Sequence, residues 1–310
     1  VAPESTGPRL DLGATWFWPQ EPRITALVEE LGLPTHPQHI RGDAVYEDLR
    51  GIQRLVGNPI DAPAGRFALG AQSIAEALAA GLPEGVIRTS SAVTGVSLSG
   101  DHVRVHAGAR RIDAGSVVLA LPPPLAVASR DFDPPRPETL VTTAAATPVW
   151  MGSTAKVVVR YAEPFWRRRG LAGAAASHRG PLREIHDMSG PDGDPAALFG
   201  FASAPAEPGG PGEISELRIT EQLVRLFGPE ARDPEWIRIV DWSRERWTTP
   251  SGSSSPPPSQ RYELYGHPLY QTPIHGRIHL ASTETARAFA GHIEGALLAA
   301  DETVERILSA

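Results

Sequence analysis

Hydrophobic positions recur along this chain at two spacings, every second residue and every third or fourth, and the switches between them divide it into strands and helices. From Pro22 to Leu31 a helix is predicted: Ile24, Leu27, Val28 and Leu31 line one face, Pro22 suits the first turn and Gly32 the C-terminal cap. Pro34 to Pro63 predicts loops and short strands, and Leu69-Gly70-Ala71-Gln72-Ser73-Ile74 leads into a second apolar helix ending near Leu82. Strands follow at Val86–Arg88, Val93–Leu98 and His102–His106, the last two closed into a hairpin by Ser99-Gly100-Asp101. Val117 to Leu121 is a continuous apolar run stopped by Pro122-Pro123-Pro124, the pattern of a strand covered on both faces.

After a short helix at Pro137–Ala146, Thr154 to Tyr161 alternates as a strand, sending Lys156 and Val158 one way and Val157 and Val159 the other. Ala196–Phe201 and Ile237–Trp242 are further strands, and Ile214–Phe227 is an amphipathic helix with Ile214, Leu217, Ile219, Leu223 and Leu226 as its apolar contacts. Residues 177–194 and 248–260 are rich in Gly, Pro and Ser and predict loops. The last unit is a short apolar strand, Arg277–Ala281, a polar turn, and a helix after Gly291 with Ile293, Leu297, Ala300, Val304 and Ile307 at helical spacing. Such a junction points the unpaired N–H groups of a helix start beyond the end of the strand, where they favour an anionic ligand group.

Composition narrows the chemistry. Length alone suits one large or two ordinary domains, and the 310 residues can bury a substantial core. A formal charge of -7 and the lack of a basic run with interleaved aromatics argue against a nucleic-acid partner. There is no cysteine, which excludes disulfides, thiol nucleophiles and cysteine-zinc sites. No apolar run has membrane-spanning length and the first residues lack a leader pattern, so the expectation is a soluble, cytoplasmic chain with no membrane contact. G-x-S-x-G and H-E-x-x-H do not occur, and Pro37 between His36 and His39 argues against a helical metal pair.

Ala281-Ser282-Thr283-Glu284-Thr285-Ala286 followed by Gly291-His292-Ile293-Glu294-Gly295-Ala296 resembles the C-terminal flavin-contacting signature of the flavin-containing amine oxidases, A-G-T-E-T-A then G-Y-x-E-G-A, with Ser282 for a glycine and His292 for an aromatic. Leu10-Asp11-Leu12-Gly13-Ala14-Thr15-Trp16 is similar to the family's D-L-G-G-x-W turn, Val117–Pro123 to its V-I-x-A-x-P-P element, Met151–Trp166 to its lysine strand with the P-F-W sequel, and Trp242–Trp247 to its W-x-x-E-x-W element. The 310 residues contain no G-x-G-x-x-G, the loop that cradles the cofactor's pyrophosphate in that family. Three readings of this stay open: a partial chain, a partner chain or second copy that completes the sheet, and a flavin-free relative.

The resemblance implies an α/β chain with α+β elements, an incomplete Rossmann-like FAD-binding domain (1–33, 64–130 and 243–310) interleaved with a mixed-sheet substrate domain (34–63 and 131–242). It implies an FAD-dependent oxidoreductase that oxidises an amine to an imine with reoxidation by dioxygen; the alternative is a catalytically silent, flavin-free binding module. Lys156 and His292 are the implied catalytic positions, and Gly13, Ala14, Val93, Ser282, Thr283, Glu284, Gly291, His292 and Ile293 the implied cofactor contacts. Val93 also fits an ordinary strand valine, and His292 either hydrogen-bonds a polar substrate or is a structural residue at the helix start. Ser251 is the nearest match to the tethering cysteine of monoamine oxidases, so FAD is expected to be noncovalent. No tyrosine in 251–255 supplies the second of the two rings that flank the amine in those enzymes.

Overall fold

A computed structural model describes residues 9–128, 131–203, 214–250 and 262–309. Ser251 and residues 251–255 lie outside them. The chain divides into two compact units: 1–21, 25–78 and 154–242 form the first, and 22–24, 79–153 and 243–310 the second. Both mix helices with strands, as the sequence predicts. Among the described residues no helix is long and apolar enough to cross a membrane.

The first unit is built on strands. In chain order it holds β1 (Trp16–Phe17), most of α1 (Pro22–Glu30), β2 (Thr35–Pro37), β3 (Asp43–Asp48), β4 (Gly51–Leu55), β5 (Gly65–Phe67) and most of α2 (Gln72–Ala80). The second unit continues with β6 (Gly95–Ser99), β7 (His102–Ala107), β8 (Arg110–Ala114), β9 (Val117–Leu119), α3 (Pro123–Ala128), β10 (Asp131–Asp133) and α4 (Glu138–Ala146). The chain returns to the first for β11 (Thr154–Tyr161), α5 (Phe165–Arg168), β12 (Leu171–Ser177), β13 (Glu184–Asp187), β14 (Ala196–Ser203), α6 (Glu216–Phe227) and β15 (Trp236–Asp241). It ends in the second with β16 (Ile278–Leu280) and α7 (Ile293–Leu308).

A seven-stranded sheet ordered β15-β11-β14-β13-β12-β3-β4 dominates the first unit, antiparallel except where β12 runs parallel to β3. One face of it is ordinary core: Val157, Val159, Leu198, Ile185 and Ile237 pack with Ile219, Leu223, Leu226 and Phe227 of α6. That aliphatic burial is the main source of stability here. Gly200 of β14 has no room for a side chain, since a Cβ would lie 2.6 Å from the Glu184 carbonyl. Ser215 caps α6, accepting from the Arg218 N–H at 3.4 Å.

In the second unit β6 and β7 form the predicted hairpin, which β8 extends to a meander, and β10 joins on the other side, parallel to β6. Gly100 makes the β6–β7 turn at φ +63°. β9 pairs in parallel with β16, placing Leu119 beside Leu280. Val96, Val103, Leu119, Leu140, Ile278 and Leu280 share one core, with Val93 packed at its margin.

Four predictions of local structure fail. Val86–Arg88 is no strand, because Pro83-Glu84-Gly85 turns the chain, the Val86 N–H bonding the Pro83 carbonyl with Gly85 at φ +79°. β9 is not covered on both faces; Val118 is 43 % exposed. Leu217 of α6 points to solvent at 69 % exposure, because it lies in the first turn off the buried stripe. α7 buries Glu294, Gly295, Ala299 and Thr303 rather than the predicted row of Ile293, Leu297, Ala300, Val304 and Ile307. β12 and β13 fall where no strand is predicted, since an alanine-rich run and a charged run carry no strand alternation.

Candidate functional site

Register on the second face of the large sheet assembles a site that no single segment encodes. β11 pairs with β14 and β14 with β13, so Lys156 lies opposite Phe201, and Phe201 opposite Glu184; Val158 lies opposite Phe199, and Phe199 opposite His186. Residues directly opposite in an antiparallel ladder share a face. Lys156, Phe199, Phe201, Glu184 and His186 therefore stand together, and Leu10, Leu12, Trp16 and Trp236 pack onto the same surface.

Lys156 is fully buried at 0 % exposure. Its Nζ donates to the Gly13 carbonyl at 2.8 Å and to the Thr15 hydroxyl, and it sits 4.5 Å from the Phe199 ring centroid. Both oxygens belong to the Asp11–Trp16 turn, whose position is fixed from two sides. Asp11 Oδ1 accepts from the Ala71 N–H at 2.8 Å, and the Trp242 indole donates to the Leu12 carbonyl at 3.1 Å. Burial pushes the Lys156 ammonium down from 10.5 to about 7; nearby Asp11 opposes this and Arg66 adds to it. Burial likewise raises the Asp11 carboxyl, offset in part by the Ala71 N–H and by Lys156 and Arg66. An amine close to half-protonated at neutral pH, held by two fixed oxygens and one aromatic face, can keep or release a proton without moving.

In the second unit the strand-turn-helix junction forms as the sequence predicts. β16 ends at Leu280, residues Thr283–Thr285 make a single 3-10 turn, and α7 starts after His292. Thr283 Oγ1 donates to the His292 carbonyl at 2.8 Å, binding the turn to the helix start. Gly291 adopts φ +87°, and Gly295 is obligatory, because a Cβ there would lie 2.3 Å from the Phe289 carbonyl. Gly295→Ala is expected to lower stability by about 2 to 3 kcal/mol; a chemical denaturation midpoint within error of the parent chain would refute this packing.

His292 is exposed and contributes its main chain to the start of α7. Glu284 is buried at 3 % exposure, and burial raises its carboxyl. Among the described residues its Oε2 and the buried Tyr265 hydroxyl have no hydrogen-bond partner. Burial, then Glu284 and Tyr262, raise the Tyr265 phenol. Such orphaned groups are expensive unless a ligand answers them. Together with the helix-start N–H groups they suit a ligand rimmed by hydrogen-bonding atoms, and a flavin ring fits that donor and acceptor set.

The predicted residues thus fall into two groups. Lys156 and Gly13 meet in the first unit, with Ala14 exposed on the same turn; Ser282, Thr283, Glu284, Gly291, His292 and Ile293 meet in the second. Val93 lies in the second unit, packed against the core that holds β16, apart from this junction in the chain. Sequence reasoning missed Asp11, Thr15 and the Phe199, Phe201 and His186 side chains. The alternation of Ala197, Phe199 and Phe201 was the available signal.

The family model described as flavin containing amine oxidoreductase matches residues 62–308. A protein named "Putative flavin-containing monoamine oxidase AofH" from Mycobacterium tuberculosis is 34% identical over 251 residues, covering 80% of this chain and 53% of that protein. The flavin-containing amine oxidase B of Sus scrofa is 29% identical over 234 residues, covering 72% and 43%. The chain spans about half the length of the curated relatives it matches. Among solved structures, putrescine oxidase bound to putrescine superposes with a TM-score of 0.82 at 20% identity, covering 97% of this chain and 88% of that one. Cyclohexylamine oxidase from Brevibacterium oxydans gives 0.81 at 19%, covering 97% and 89%. These two are likenesses of fold.

Proposed function

The chain belongs to the family of flavin-containing amine oxidoreductases, and from that premise we propose that it oxidises an amine to an imine with noncovalent FAD as the immediate electron acceptor. The observation that carries this reading is Lys156, a buried amine pushed down to about 7 beneath an aromatic surface. The family match does not favour the alternative of a binding module without flavin.

A flavin held here would supply the hydride-accepting chemistry for the amine's α-carbon, with dioxygen as the final acceptor. The chain's own residues supply the setting. Ser282, Thr283, Glu284 and the start of α7 at Gly291–Ile293 are assigned to hold the cofactor, the N–H groups and helix dipole favouring negative charge there. Gly13, Ala14 and Val93 are assigned further cofactor contacts. Lys156 holds a proton at Nζ, supplied or withdrawn near neutral pH, and the rings of Trp16, Phe199 and Phe201 keep water from the amine, which must be neutral to react. His292 is assigned to the substrate side of the helix start. Without cysteine, no thioether tether forms.

In this reading 1–33, 64–130 and 243–310 serve the cofactor and 34–63 and 131–242 the substrate, and the protein is cytoplasmic. The test is direct. Purified protein, as isolated or supplied with FAD, is expected to show flavin absorbance and to release peroxide with members of an amine panel. Flavin retention without peroxide from any amine would overturn the oxidase reading, and failure to retain flavin would overturn the cofactor assignment.

A further inference from the structure

On the aliphatic side of the large sheet, away from the face that carries Lys156, the surface holds a hollow of about 490 Å³. Its floor is apolar: Val45 of β3, Leu171 of β12, and Leu226 and Phe227 at the end of α6. Its wall is cationic. Arg54, Arg169 and Arg225 all line it, and among the described residues it takes in no carboxylate. In a chain of net charge -7 that concentration of one sign makes a local field that attracts anions.

Each guanidinium is held by a group that is not part of the wall. Arg225 Nε donates to the buried Glu47 carboxylate at 3.0 Å, and Arg169 Nη1 to Glu230 at 3.1 Å. Arg54 Nε donates to Asp43, and its Nη2 to the Gly170 carbonyl at 3.0 Å. Two glycines make room for this arrangement. A Cβ at Gly170 would lie 2.9 Å from Arg54 Nη2, and one at Gly228 would lie 2.8 Å from Arg169 Cζ. These pairings leave donors over: Nη1 of Arg54, Nη2 of Arg169 and Nη1 of Arg225 have no hydrogen-bond partner among the described residues. The forks are oriented in advance, which removes part of the entropy cost of gathering them round a ligand.

Three guanidiniums beside one apolar floor select a ligand type. A carboxylate offers two oxygens and a single charge, whereas a phosphate monoester offers three outer oxygens and about two charges. Inorganic phosphate would leave the floor wet, so the ester must carry an apolar body. We propose that this hollow is a second ligand site, separate from the Lys156 face, that binds the phosphate monoester of an apolar or aromatic alcohol. Arg54, Arg169 and Arg225 hold the phosphate, and Leu171, Leu226 and Phe227 lie under the apolar body.

The experiment titrates phenyl phosphate, inorganic phosphate, benzoate and benzyl alcohol separately into the full chain by isothermal calorimetry, at about pH 7.5, where the monoester is a dianion. Phenyl phosphate is expected to bind about tenfold more tightly than benzoate, through its additional charged hydrogen bonds, and about tenfold more tightly than inorganic phosphate, through the covered floor. Benzyl alcohol should not bind measurably, and added salt should weaken the phenyl phosphate complex. Arg54→Gln/Arg169→Gln, at two half-exposed positions, should cost phenyl phosphate about 100-fold in affinity. Arg54→Lys/Arg169→Lys, which keeps the charge without the planar forks, should recover only part of that loss. Affinity for phenyl phosphate unchanged in the glutamine variant would overturn the proposal. So would inorganic phosphate binding as tightly as phenyl phosphate, which would leave an adventitious ion only, or benzoate doing so, which would remove the phosphate preference. Flavin absorbance and peroxide release do not enter these readouts, so the oxidase reading can fail while this site stands, and the reverse.

Discussion

In the Lys156→Met variant, amine turnover is expected to fall about 100-fold, the loss typical when one preorganised polar group is removed from a dry site. Methionine matches the lysine stem in volume and leaves the Phe199 contact, so the change isolates the charge. The parent rate should show an inflection near pH 7, where Lys156 titrates, and the variant should lack it. Stability gives an independent measure. The folded-state value of about 7 lies below the ordinary 10.5, so between these values the unfolded chain binds the proton and the folded chain does not. The penalty of burying the ammonium is present in full below about pH 7 and vanishes above 10.5. Across that window the parent should gain about 1.4 kcal/mol per pH unit relative to the variant. Denaturant unfolding of both proteins from pH 6.5 to 10 measures it; parallel curves would show that Lys156 is not the buried amine described above.

The second large effect concerns the other glutamate of the C-terminal signature. Glu294 is 0 % exposed, and its Oε2 accepts from the Ile24 N–H at 2.9 Å while Oε1 lies 3.5 Å from the half-exposed Arg23 guanidinium. Ile24 is in the first turn of α1, where N–H groups have no helical partner, so the carboxylate supplies both a cap and a favourable charge at the helix start. Glu294→Ala is expected to lower stability by about 3 kcal/mol, chiefly from stranding a buried donor and leaving a void. Glu294→Gln keeps an acceptor of the same shape and should recover about half. A loss below about 1 kcal/mol in the alanine variant would assign this glutamate to ligand binding instead of to its hold on Arg23 and Ile24 within the second unit.

How much was legible in the sequence follows the range of each interaction. Strand alternation in Thr154–Tyr161 gave β11 with Lys156 and Val158 on one side, and proline and glycine marked both ends of α1. α7 shows the limit. Its apolar residues suggested a face that included Val304, but the buried stripe contains Glu294 and Thr303, because a carboxylate satisfied by a distant N–H is as buriable as a valine. Periodicity weighs residue types and cannot see a partner 270 positions away.

What the chain determined by itself is its family, its strand and helix periods, the absence of thiol chemistry and the lysine that stands in the D-L-G-A turn's reach. Tertiary structure decided which side chains meet that lysine. Phe199, Phe201 and His186 come to its face only through the pairing of β11 with β14 and β14 with β13, and Asp61 reaches His186 across 125 positions. A one-residue slip in either ladder would turn these groups into the aliphatic core, so the site exists because register, set by packing of the opposite face, is fixed.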